Sequence, residues 1–165
     1  MNTNTLFARI AATVALSLVA ATVSAQAPVR PPYGTAINLE TAKKVAAGAV
    51  AEAKKNNWNV AVAVVDNHGM LVYYEIADDT QTASSEIAIG KARTSATLRR
   101  PSKELEDNIA SGRNAVLAIY PGVTPIEGGL PLVVSGKMIG AIGVSGVTSA
   151  QDGQTAKAGV DALSK

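Results

Sequence analysis

"IEGGLPLVVSGKMIGAIGVSG" (Ile126–Gly146) places six glycines among apolar side chains, directly ahead of a helix-like segment. Such glycines cradle a phosphate, form a catalytic turn or let a sheet pack tightly, and spacing separates the three. A P-loop needs G-x-x-x-x-G-K-[ST], whereas Gly136-Lys137 is followed by Met138 and lacks the upstream glycine. A dinucleotide fingerprint needs G-x-G-x-x-G within a parallel βαβ unit; Gly140, Gly143 and Gly146 form G-x-x-G-x-x-G instead. A nucleophile elbow needs G-x-S-x-G, and "GVSGV" ends on Val147. The structural reading remains. "LPLVVS" and "MIGAIGVS" flank Gly136-Lys137 as two strands of a hairpin, with glycine first in a two-residue type II′ turn. Glycines inside the second strand let a neighbouring backbone or a flat ligand come close. "EGGLP" reads differently: Gly128 and Gly129 precede the strand, and their backbone amides, exposed beside Glu127, would suit a bound ligand.

On the C-terminal side, "SAQD" (Ser149 to Asp152) is a capping-box pattern that starts a last helix with Ala156, Val160 and Leu163 on one face. On the N-terminal side, Asn38 caps a helix running to about Asn57. Its apolar stripe is Leu39, Ala42, Val45, Ala46, Ala49, Val50 and Ala53, at three- and four-residue steps. "WNVAVAVVD" (Trp58 to Asp66) is apolar on both faces and reads as a central strand. "NHG" turns the chain into a partner strand, "MLVYYEI" (Met70 to Ile76). Ser84 or Ser85 caps "EIAIGKARTSATLRR", which Pro101 stops. Ser102 caps "KELEDNIAS", with acids in its early turns and Gly112 just past its end. "AVLAIYP" fits either a strand or a helix. The order α-β-β-α-α-β-β-α, with strands joined as hairpins, predicts an α+β domain: a central antiparallel β-sheet flanked by helices.

"MNTNTLFAR" carries one Arg and no acid, "IAATVALSLVAATV" is an apolar run, and Val23, Ser24 and Ala25 follow as small residues. That is the order of a secretory signal; a membrane anchor needs about twenty apolar residues, more than this run offers. The chain therefore divides into a signal over residues 1–25, a flexible lead over 26–37 and a single domain over 38–165. The formal charge is +2, too small a field to point to nucleic acid or anionic lipid. The absence of Cys excludes disulfides and thiolate metal sites. Export without Cys suits a bacterial periplasm or exterior, with no membrane association after signal cleavage. A core rich in Ala, Val and Gly is thin, which favours assembly as a further source of burial.

Four blocks now stand in order: "VAVVDNHGMLV", "AIGKARTSATLRRPS", the glycine-rich stretch and "QDGQTAKAGVDAL". Together they resemble the GlcG/HbpS-like haem-binding family, also called haem-degrading, whose domain recurs at the C-terminus of some PduO-type proteins. The likeness covers nearly all of Asn38 to Lys165. It implies a profilin-like α+β fold, a homo-oligomer (a dimer or an octamer) and the binding of haem or a corrinoid; some exported members are linked to haem and iron sensing.

Candidate site residues follow. His68, the only His, sits in the hairpin turn and has the chemistry of an axial metal ligand to haem iron. Lys91, Arg93 and Thr94 lie in "GKARTSA". Lys91 and Thr94 are three apart and share a helix face, while Arg93 points elsewhere; cations beside a hydroxyl suit haem propionates or another carboxylate. Within the family a Thr is associated with iron contact. Glu127, Gly128 and Gly129 form the second candidate group. Arg99 and Arg100 finish their helix at its negative end. Tyr73, Tyr74, Tyr120, Met70 and Met138 have haem-lining chemistry but strand-like positions that suit core or interface. Glu104, Glu106 and Asp107 lack the Glu-x-x-Glu spacing of a helical iron clamp. For catalysis the inventory is poor: no catalytic residue is assigned, and if the protein is an enzyme, Glu127 is the base with Lys91 beside it. The resulting expectation is an exported small-ligand-binding protein taking haem or a related tetrapyrrole. The alternatives are an enzyme acting on a small organic acid or aldehyde in a catabolic pathway, and a ligand-free accessory protein.

Overall fold

In the computed structural model, which describes residues 29–164, the glycine-rich stretch is a hairpin of β3 (Gly129–Val134) and β4 (Lys137–Ser145). The signal assigned to residues 1–25 lies outside the described residues. Val134 pairs with Lys137, so the turn residues are Ser135 and Gly136, with φ of 49° and 74°. Two central residues at positive φ make a type I′ turn, one residue earlier than the type II′ turn about Gly136-Lys137 that the sequence predicts.

The remaining elements are α1 (Leu39–Lys55), β1 (Ala61–Asp66), β2 (Leu71–Ile76), α2 (Ser84–Leu98), α3 (Lys103–Ala110) and α4 (Ser149–Asp161). Asn114–Ala118 forms a 3₁₀ turn, which settles the ambiguous "AVLAIYP" segment as helical. The sheet runs β2-β1-β4-β3 and is antiparallel throughout. The α+β architecture predicted from the element order is thus the one observed. β1 is central and buried on both faces because its alternate residues serve two layers. Val60, Val62 and Val64 join Ile142 and Val144 under α1 and α4, against Ala42, Val45, Ala49 and Ala156. Ala61, Ala63 and Val65 join Ala141 and Met138 under α2, against Ala88, Ala92 and Ala96.

Gly143 explains the closeness of that second layer. A Cβ there would collide with the carbonyl oxygen of Ala88 and the amide of Ala92, so α2 lies backbone against backbone on β4. Likewise a Cβ at Gly140 would strike the carbonyl oxygen of Val65 in β1. The strand glycines serve packing.

Helix starts show where local chemistry is redirected. Asn38 accepts from Thr41 N at 2.8 Å, as a cap should. For α2 the cap position is Ala83 with no side-chain bond, not Ser84 or Ser85; Ser84 is buried and Ser85 Oγ accepts from the Tyr74 hydroxyl at 2.6 Å. Ser102 stands at the start of α3 without capping it. Its hydroxyl donates to Ile126 O at 2.6 Å and accepts from Gly129 N at 2.9 Å. The capping box of α4 is Thr148 with Gln151, one residue before the predicted Ser149–Asp152 pair, which releases Asp152 for another role.

The lead, expected to be flexible from its composition, is tied down over residues 30–37. Pro32 O accepts from Met138 N and Met138 O from Gly34 N, both at 2.8 Å. This occupies the edge of β4 beyond Gly140, the last residue that β1 pairs. Arg99 lies 5.1 Å above the Tyr33 ring, and Arg30 pairs with Glu104 at 2.9 Å. Among the described residues, no helix is long and apolar enough to cross a membrane.

Candidate functional site

The two faces of α2 carry opposite chemistry. On the inner face, Lys91 is 1% exposed. Its Nζ donates to Asp152 Oδ2 at 2.7 Å and to Val144 O at 3.0 Å. The small residues around it make this depth attainable: a Cβ on Gly128 would come within 2.9 Å of the Lys91 Nζ. Burial pushes the Asp152 carboxyl above its ordinary range, while the Lys91 ammonium and the amides of Val147 and Gly146 pull it part of the way back. Thr94, on the same face as predicted, is also buried, and its Oγ1 accepts from Thr124 N at 2.8 Å.

The outer face is open. Arg93 is exposed, and its Nε donates to Gly69 O at 3.3 Å, which ties α2 to the β1–β2 turn. Beside that tie is a cleft of about 460 Å³, lined by His68, Met70, Glu86, Arg93, Thr97 and Tyr120 among others. One wall is the segment after the 3₁₀ turn: the Tyr120 hydroxyl meets Thr97 Oγ1 at 2.9 Å. Gly90 lets this wall settle on the helix, because a Cβ there would press into the Thr124 side chain. The cleft thus combines an imidazole, a guanidinium, a phenol and a thioether with one carboxylate, Glu86, a set able to hold a ligand whose carboxylate edge meets Arg93 and whose body is apolar.

The remaining candidates lie elsewhere. Gly128 and Gly129 are buried, and the Gly129 amide is taken by Ser102, so the glycine pair presents no open amide cradle. Glu127 stands 3.9 Å from Lys103 Nζ, and its amide donates to Glu106 Oε2 at 2.8 Å. Lys91 is engaged by Asp152 rather than by Glu127. Met138 is in the core, the Tyr73 hydroxyl donates to Glu75 at 3.0 Å, and Arg99 and Arg100 flank the lead rather than the cleft. Of the sequence-predicted residues, His68 and Arg93 line the cleft, as do Met70 and Tyr120; Lys91, Thr94, Glu127, Gly128 and Gly129 do not. No group of three or more His, Asp or Glu side chains among the described residues could hold a metal ion.

Residues 37–161 match the family described as "Haem degrading protein HbpS-like". The chain belongs to the HbpS-like family. Among its relatives, GlcG of Escherichia coli is 43% identical over 109 residues, covering 66% of this chain and 81% of GlcG. An uncharacterised 15.0 kDa protein from the dhaT–dhaS intergenic region of Citrobacter freundii is 35% identical over 132 residues, 78% of this chain and 93% of that protein. A solved double mutant of Streptomyces reticuli HbpS superposes with a TM-score of 0.72 at 33% identity, covering 83% of this chain and 97% of that one. The complex of PduOC with haem superposes with a TM-score of 0.72 at 27% identity, over 78% of this chain and 95% of that one.

The sequence reading missed Asp152, taken only as part of a cap, and with it the sealing of Lys91. An acid placed four residues into a helix, among Gly, Thr and Ala, was the available signal. Thr97, Thr124 and Gly90 were missed as well. Their spacing from Arg93 and Thr94 on α2, and the Pro-Gly segment at Pro121-Gly122, are where a wall for the cleft was written.

Proposed function

We propose that this is an exported bacterial protein that binds haem or a related tetrapyrrole in the cleft between the β1–β2 turn and the outer face of α2. The observation that carries the reading is that His68 and Arg93, far apart in sequence, line one cleft. Family membership supports it, as does the likeness to a relative solved with haem. The donor set fits: His68 would supply a nitrogen ligand to the iron and Arg93 would pair with a propionate, and a bound haem would contribute the iron centre. Thr97 and Tyr120 hold the wall, and Thr94 supports it from beneath through Thr124. The signal-like first 25 residues support export to the periplasm or exterior, and the thin core rich in Ala, Val and Gly supports assembly into a homo-oligomer.

Titration of the mature protein with hemin tests this. A saturable Soret shift at micromolar protein is expected. Arg93→Ala should weaken binding about tenfold, the scale of one lost charge-assisted contact, and His68→Ala should change the Soret and charge-transfer bands. Absence of a saturable shift would overturn the proposal. Unchanged spectra and affinity in both variants would remove the cleft from it.

A further inference from the structure

A second groove, of about 520 Å³, opens where α1 ends and β1 begins, and shares no lining residue with the His68–Arg93 cleft. Its inner part is apolar: Ala53 and Val60 are buried, and Trp58 is half-buried and packed on the core. Its rim is acidic. Glu75, Asp78 and Asp79 line it against the single cation Lys54, so a chain of net charge +2 has here a local formal charge of −2. Asn57 and Asn59 add amides to the same rim. An indole beside an excess of carboxylates attracts a cation through both the ring quadrupole and direct charge, and the apolar interior suits the body of the same molecule.

We propose that the Trp58 groove is a second ligand site, taking a small organic amine whose ammonium meets the Asp78–Asp79 rim and whose apolar body lies on Trp58. This is independent of what the other cleft binds. Trp58 is the only Trp, so its fluorescence reads the groove directly. The full chain is titrated with benzylamine, with benzyl alcohol and benzoate as the neutral and anionic isosteres. A saturable change with benzylamine is expected, weakened by salt, at least about tenfold weaker with either isostere. The double variant Asp78→Asn/Asp79→Asn should lose about the same factor. Asp79 has φ 62°, a region Asn tolerates well, so this variant keeps the backbone; unchanged circular dichroism checks it. Lys137→Ala, at the exposed start of β4 and outside both clefts, should leave the titration unaltered. An equal response to benzyl alcohol, no saturable response to benzylamine, or full retention of the response in the double variant would each overturn the site.

Discussion

Lys91 and Arg93 are two residues apart on one helix, and the fold gives them opposite lives. Lys91 points into the α2–β4 contact, where Asp152 and Val144 O absorb its charge. Arg93 points to solvent at a cleft, tied by one hydrogen bond to the β1–β2 turn. Identical charge at similar sequence position thus serves cohesion in one case and availability in the other. Depth decides between them: a buried ion whose partner is removed has no water to replace it, whereas an exposed one does.

Breaking the buried pair should have the largest effect. Lys91→Met leaves Asp152 sealed without its cation, and a loss of about 3–5 kcal/mol in urea unfolding is expected. Arg93→Ala should stay within about 0.5 kcal/mol of the parent. The double variant Lys91→Met/Asp152→Leu should recover part of the loss, because it removes the stranded buried charge but leaves Val144 O and the Val147 amide without these partners. A Lys91→Met variant as stable as Arg93→Ala would mean that the inner face is not sealed.

The glycines of the two faces give the next contrast. At Gly143 an added Cβ meets α2 backbone, which cannot yield, whereas at Gly90 it meets the Thr124 side chain. Gly143→Ala should cost about 1–3 kcal/mol or more. Gly90→Ala should cost less and instead shift the cleft wall, weakening hemin binding if the cleft is the site. Thermal unfolding and the hemin titration separate the two results.

The smallest effect compares two carboxylates at α4, Asp152 within it and Glu52 bonded to it through Gln154. Glu52 is held below its ordinary range by hydrogen bonds from Gln154 and Asn56, so its contribution is present above the unfolded carboxylate value and fades as pH falls through the lowered one. Asp152 is raised by burial, so folding favours its protonated form; that contribution is full below the unfolded value and is lost as pH rises through the raised one. On acidification Glu52→Gln should therefore lose less stability than the parent, and Asp152→Asn more. Chemical denaturation between neutral pH and the carboxylate range checks both signs.

Much of the architecture was legible beforehand. The stripe Ala42–Val45–Ala46–Ala49–Ala53 marked α1, and the unbroken "VAVAVV" marked a strand with neighbours on both sides. Turn chemistry placed both hairpins, although the β3–β4 turn moved by one residue because Ser135 accepts a positive φ. The candidate site was legible in part. The three-residue spacing correctly put Lys91 and Thr94 on one face, but spacing carries no information about depth, so the face that looked like a ligand surface turned out to be interior. "EGGLP" misled for a similar reason: glycines that free a loop and glycines that admit a buried lysine look alike in one dimension.

What the amino-acid order settled unaided was local: periodicities of two and near four, caps and turns, each a matter of residues within one turn or one hairpin. The placements of Lys91, Asp152, His68 and Arg93 were decided by contacts between distant segments, such as the 61 residues that separate Lys91 from Asp152. Those contacts exist because Gly143 brings the backbone of α2 onto β4, and the closeness of two packed layers depends on both surfaces at once.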